Sequence, residues 1–197
     1  MEQIGPVRPD LIKGYIEGKK AYEQVFPKIY ELIAERVETV LRPKYPKIDP
    51  VVGPRDKARV MAKFPEMGED VPLDWVAFGF SGMDMYNHHI GILLQVHDWP
   101  VKYLVGLHIM DLYITDHALE LVRSEVDAID WKKAVGLDPT YVYDEAVREH
   151  RWLDPVQELD FANIDDEIKK IAQRAIKYYE ASAAAADVLG AALAGEE

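Results

Sequence analysis

Three stretches of β-forming sequence follow one another between residues 73 and 110: LDWVAFGF, HHIGILLQV and VKYLVGLHIM. The breaks between them are short and polar. Strands this close in sequence pair antiparallel, because a parallel return needs a crossover of a dozen or more residues. The segment is therefore a meander. That excludes a doubly wound sheet, in which a helix separates successive strands. It also carries His88, His89, His97 and His108, four of the six histidines in the chain.

Burial sets the pairing of the second and third strands. With His97 opposite Lys102, one face collects Ile90, Ile92, Leu94, Val96, Val101, Tyr103, Val105, Leu107 and Ile109. A slip of one residue mixes oily and polar groups on both faces, so burial selects this alternation. Val76, Phe78 and Phe80 extend the apolar face. The opposite face holds Ala77, Gly79, Gly91 and Gly106, with Trp75, His89, Gln95 and His108 around them. Glycine within a strand marks close approach of another group. A helix packed on the sheet is the plainer explanation. A ligand groove rimmed by imidazole, amide and indole is the sharper one.

The rest of the chain is expected to supply helices. Ile29, Leu32, Ile33, Val37, Val40 and Leu41 form one stripe of an amphipathic helix that Pro43 and Pro46 end. Pro27 predicts a kink or a new start, since it lacks an N–H and crowds the preceding turn. Residues 43–72 hold six prolines and read as an irregular connection with one helical turn near 56–64. Thr115 and Asp116 open a middle helix with Leu119, Val122, Val126 and Ile129 inward. Residues 140–148 alternate as a further strand. Asn163 is expected to cap a C-terminal helix burying Ile164, Ile168, Ile171, Ala175, Tyr178 and Tyr179, with an alanine-rich end.

Composition narrows the functional classes. The net charge of −12, from 35 acids against 23 bases, disfavours a nucleic-acid phosphate backbone or an anionic membrane. With no cysteine, thiolate metal sites, disulfides and cysteine nucleophiles are absent. No apolar run approaches the ~20 residues of a membrane span, and the N-terminus does not read as a signal peptide. A cytoplasmic protein of one domain, residues 1–197, is expected.

Motifs for chemistry are sparse. In the register above, His89 and His108 are diagonal neighbours within reach of one ion. Only two ligands result, whereas a catalytic zinc usually takes three from the protein. Asp111, Asp116 and His117 have no spacing that demands a third, so no metal is expected. Ser81 lacks the strand-to-helix elbow of a hydrolase nucleophile, since more strand follows. No phosphate-binding GKS or GKT is present. Glu145, Arg148, Glu149 and Arg151 read as a solvated face. Tyr141, Tyr143, His150 and Trp152 suit either an edge or a core seal.

The strand WVAFGF, a polar loop containing Tyr86 and the strand entering through His88 and His89 resemble the YktB-like family of uncharacterised bacterial α+β proteins. The resemblance covers about residues 75–95. It implies that these strands form the centre of the sheet and makes His89 the counterpart of that family's strand histidine. Gly91 occupies the place of its expected glutamine.

The expected fold is α+β: an antiparallel sheet with a three-strand meander (about 73–110), packed by N-terminal, middle and C-terminal helices. The expected function is a small soluble binding or accessory protein. Its ligand, a small molecule or a protein, would meet Trp75, Tyr86, His89, Gln95 and His108. The alternatives are an enzyme, a hydrolase or isomerase with His89 or His108 as general base, and an oligomerising subunit that uses the alanine-rich tail. No cofactor is specified.

Overall fold

Alternation of side chains along β3 (His88–Gln95) and β4 (Lys102–Met110) organises the molecule. Ile90, Ile92 and Leu94 on one strand and Val105, Leu107 and Ile109 on the other are all buried. The computed structural model describes residues 9–53, 55–63, 75–80, 88–95, 100–111, 114–146 and 148–194. Tyr86, Ser81 and His97 lie outside them.

The fold is α+β, and the expected meander is present. A seven-stranded antiparallel sheet runs in the order β1-β2-β3-β4-β6-β5, with β7 also pairing with β4. Here β1 is Asp49–Val52, β2 Trp75–Gly79, β5 Thr140–Asp144, β6 Glu149–Leu153 and β7 Gln157–Glu158. The helices are α1 (Pro9–Leu41), α2 (Lys57–Lys63), α3 (Asp116–Asp127), α4 (Trp131–Ala134) and α5 (Ile164–Ala194). Among the described residues no helix is long and apolar enough to cross a membrane.

Register departs from expectation by two residues. Gln95, not His97, lies opposite Lys102, so the hairpin connection is longer than anticipated. The expected faces survive, because side chains alternate with a period of two and a two-residue slip preserves that alternation. The consequence is local: His89 now sits directly opposite His108 instead of diagonally.

Both long helices share the core with the apolar face. Phe26, Ile29, Tyr30, Ile33 and Val37 of α1 join Ile168, Ile171, Ala175, Tyr178 and Tyr179 of α5 beneath the sheet. The ring of Tyr179 stacks on Phe80 with centroids 4.3 Å apart, and its hydroxyl donates to the Gly79 carbonyl at 3.4 Å. Tyr178 donates to Asp154 Oδ1 at 2.6 Å, and Arg174 Nε pairs with Asp154 Oδ2 at 2.7 Å. Burial raises the Asp154 pKa, while the Tyr178 hydrogen bond and the Arg174 charge oppose the rise. These contacts fasten α5 to the chain just beyond β6. The alanine-rich end of α5 is helical to Ala194, and Ala185, Ala186 and Leu189 point into the core.

Several elements differ from the sequence-based expectation. α1 runs through Pro27 as one helix, so no new helix starts there. The missing bond to the Glu23 carbonyl is outweighed by burial of Phe26, Ile29 and Tyr30 around it. β1 replaces part of the expected irregular connection. Pro50 is tolerated there because, among the described residues, β1 is an edge strand that pairs with β2 alone. The strand expected over 140–148 ends at Asp144, turns through Arg148 at a φ of 51°, and returns as β6. Thr115 caps α3 as expected, accepting from the Ala118 amide at 3.3 Å.

His88 is the polar exception on the apolar face. It is fully buried, meets the Phe80 ring edge-on at 4.6 Å, and neither ring nitrogen has a hydrogen-bond partner among the described residues. Burial, with a smaller effect from His89, pushes its pKa down to about 3 from the ordinary 6.5. The unfolded chain therefore takes up a proton first. The resulting stability is complete above pH 6.5 and declines as pH falls toward about 3. Replacing His88 by leucine removes two buried nitrogens that have no partner among the described residues, and is expected to add about 1–3 kcal/mol at neutral pH. The gain should be larger at mildly acidic pH. Urea denaturation of both proteins at pH about 5 and about 8 checks this, and a gain that does not grow at the lower pH contradicts it.

Candidate functional site

The second face of the sheet is built by the same alternation that builds the core. Across β2, β3 and β4 it takes Ala77, Gly91 and Gly106 in one row, because Ala77 pairs with Gly91 and Gly91 with Gly106. One pair further along, Gly79, His89, His108 and Arg151 form the next row. Glu149 lies two residues from Arg151 on β6, on the same face.

The glycines are covered by neighbouring side chains of their own face. A Cβ placed on Gly91 would stand 2.7 Å from His108 Nε2 and 2.9 Å from its Cδ2. A Cβ on Gly106 would stand 2.5 Å from the Leu153 side chain and 2.6 Å from the Trp152 carbonyl. Gly91 thus lets the imidazole of His108 lie down on the neighbouring strand.

His108 is gripped at its other nitrogen. Its Nδ1 lies 2.9 Å from Glu149 Oε1, and Arg151 Nε lies 2.8 Å from Glu149 Oε2. Arg151 is further ion-paired with Asp144. The carboxylate is therefore held between an imidazole and a guanidinium. His89 stacks on His108 with ring centroids 4.9 Å apart and planes 10° from parallel. One donor atom each from His89, His108 and Glu149 lies within 4.8 Å of the other two.

Burial alone would raise the Glu149 pKa. The His108 hydrogen bond and the charges of His108, His89 and Arg151 reverse that and bring it to about 2. Glu149 is consequently an anion throughout the neutral range. The reading of Glu149 and Arg151 as a solvated face is corrected, since their side chains are only 13% and 25% exposed. Glu145 and Arg148 are exposed as expected.

The expected site residues fall into two groups. His89 and His108 are brought together. Trp75 pairs with Leu93, four residues from His89, which places it about 13 Å along the sheet. Gln95 pairs with Lys102, about 20 Å along the strand from His89. Glu149 was missing from the sequence-based set because its approach depends on β6 pairing with β4. The alternation of Glu149, Arg151 and Leu153 against His150 and Trp152 is the signal that could have placed it.

A second polar group sits on the helix side of β6. His150 is buried, with Nδ1 at 2.8 Å from the Tyr141 hydroxyl and Nε2 at 3.6 Å from Asp111 Oδ2. Arg148 Nε holds Asp111 Oδ1 at 2.8 Å. Burial and the Arg123 charge lower the His150 pKa against the opposing effect of Asp111. Trp152 seals the core, while Tyr141 and Tyr143 remain exposed at the edge.

The depressed Glu149 pKa carries a sign. A carboxylate that ionises more readily when folded adds stability that is complete above its ordinary value of 4.5 and is lost as pH falls toward about 2. Glu149→Gln is therefore expected to destabilise the protein at neutral pH and to flatten the acid limb of its stability curve. Denaturant midpoints measured from pH about 6 downward check this, and parallel curves for the two proteins contradict it.

Comparison of the chain with protein-family models, with curated proteins and with solved structures finds no match in any of the three, and so nothing there bears on the YktB-like resemblance.

Proposed function

We propose that the chain is a small cytoplasmic binding protein whose ligand is met by His89, His108 and Glu149 on the glycine-lined face. The observation that carries this reading is the direct cross-strand placement of two imidazoles beside a carboxylate that Arg151 holds in place. Three rigid strands supply the donors. A site on strands is better defined than one on loops, because pairing fixes each backbone. The partner is a small molecule or ion, since the polar centre is compact.

Enzymatic proton transfer is the second reading, and one geometric fact favours it. A histidine base works when its other nitrogen is oriented by an acceptor, and Glu149 does this for His108. With the proton on Nδ1 the lone pair is on Nε2, which is buried against Gly91 without a hydrogen-bond partner among the described residues, so a substrate reaches it only if the ring lifts from that strand. An assembly role for the alanine-rich tail has less support, because Ala185, Ala186 and Leu189 already pack inward.

The two readings separate experimentally. If His108 is a base, His108→Ala is expected to lower turnover by about 100-fold or more at a temperature where the variant, less stable for loss of its Glu149 hydrogen bond, is still folded. The measurement is a screen of hydrolysis and isomerisation substrates followed by kinetics of the variant. If the protein only binds, no substrate is turned over. Ligand-induced NMR shifts then centre on the His89 and His108 imidazoles, and shifts elsewhere only would remove this face as the site.

A further inference from the structure

We propose that His89, His108 and Glu149 form a binding site for one divalent first-row transition metal ion; the proposal rests on the reading of this face as a ligand site and names the ligand. The donors are two imidazoles and one carboxylate, one from each of β3, β4 and β6. Imidazole and carboxylate together suit zinc, iron(II), manganese(II) or cobalt(II). The absence of cysteine leaves no soft thiolate donor to favour copper(I).

Distances support the same conclusion. Ligand atoms about 2.1 Å from an ion and at right angles to each other lie about 3 Å apart. His108 Nδ1 and Glu149 Oε1, at 2.9 Å, already have that spacing. All three donors fall within 4.8 Å of one another, and side-chain rotation is needed to aim them at one point. Coordination through Nδ1 would require a neutral His108 to carry its proton on Nε2, exchanged through water, with the ring lifted from Gly91 where Nε2 is now buried.

The surroundings are arranged for such a ligand set. His89 and His108 stand side by side on this face with ring centroids 4.9 Å apart. Arg151 holds the second oxygen of Glu149, which orients the carboxylate from behind. Gly91 leaves room for the His108 ring to lie where it does. The side chains of His108 and Glu149 retain 14% and 13% exposure, so the ion would be reached from solvent. Three protein ligands leave a coordination position for water or a substrate group, the pattern of catalytic rather than structural sites.

The experiment is calorimetric titration of chelator-treated protein with zinc(II), accompanied by cobalt(II) absorption spectra. One equivalent is expected to bind, with cobalt(II) showing the visible bands of nitrogen and oxygen coordination. His89→Ala and Glu149→Gln should each weaken binding by at least about tenfold. His117→Ala, at an exposed histidine of α3, should leave it unchanged. Circular dichroism identifies any variant that fails to fold, and the remaining one decides. Absence of binding by the wild type, or binding that His89→Ala and Glu149→Gln leave intact, overturns the metal proposal. The broader reading survives that result if small organic ligands still shift the His89 and His108 imidazole resonances, and it fails separately if they do not.

Discussion

Everything in this fold follows from the pairing of β3 with β4. One alternation sends Ile90, Ile92, Leu94, Val105, Leu107 and Ile109 to the helices, and by the same geometry sends His89, Gly91, Gly106 and His108 the other way. The hydrophobic requirement is large: burying one such aliphatic side chain is worth about 1.5–3 kcal/mol. A one-residue slip would expose the whole row, so the core dictates which residues the other face displays. The candidate site is in this sense a by-product of core packing that the remaining side chains put to use.

The same sheet treats adjacent histidines in opposite ways. His88 enters the core as a neutral ring whose nitrogens have no partner among the described residues. His89, one residue on, faces the polar side and stacks on His108. Burial dominates the first environment and charge pairing the second. Glu149 shows how the balance turns on geometry, since burial would keep its proton, yet the adjoining imidazole and guanidinium keep it ionised. Asp154 lies on the other side of that balance, its burial outweighing one tyrosine hydrogen bond and one arginine.

Much of the architecture was legible because it rests on local periodicity. The meander, the apolar stripe ahead of Pro43, the Thr115 cap and the inward face of α5 all follow from spacing within a dozen residues. What was not legible depends on contacts distant in sequence. Periodicity of two cannot distinguish registers that differ by two residues, so His89 and His108 were placed as diagonal neighbours when they are directly opposed. Propensity argued for a kink or a new start at Pro27, and no new helix starts there, since burial on both sides holds one helix through it. Pro50 disguised β1, since a proline-rich segment carries no strand signature and only the edge position makes it tolerable.

Glu149 shows most clearly why the site was only half visible. Within EHRWL its charge pattern is that of any solvated strand, and nothing nearby in sequence requires burial. Its role appears only when β6 is laid against β4, 41 residues away from His108. The polar partner of a strand histidine need not be close in the chain; it need only lie on a neighbouring strand with matching alternation. Applied here, that rule restricts the third donor to the odd-numbered residues of β6, because these share the face of His108. Of these, Arg151 repels a cation and Leu153 offers no donor atom, which leaves Glu149. The triad therefore rests on sheet parity, which holds independently of any ion.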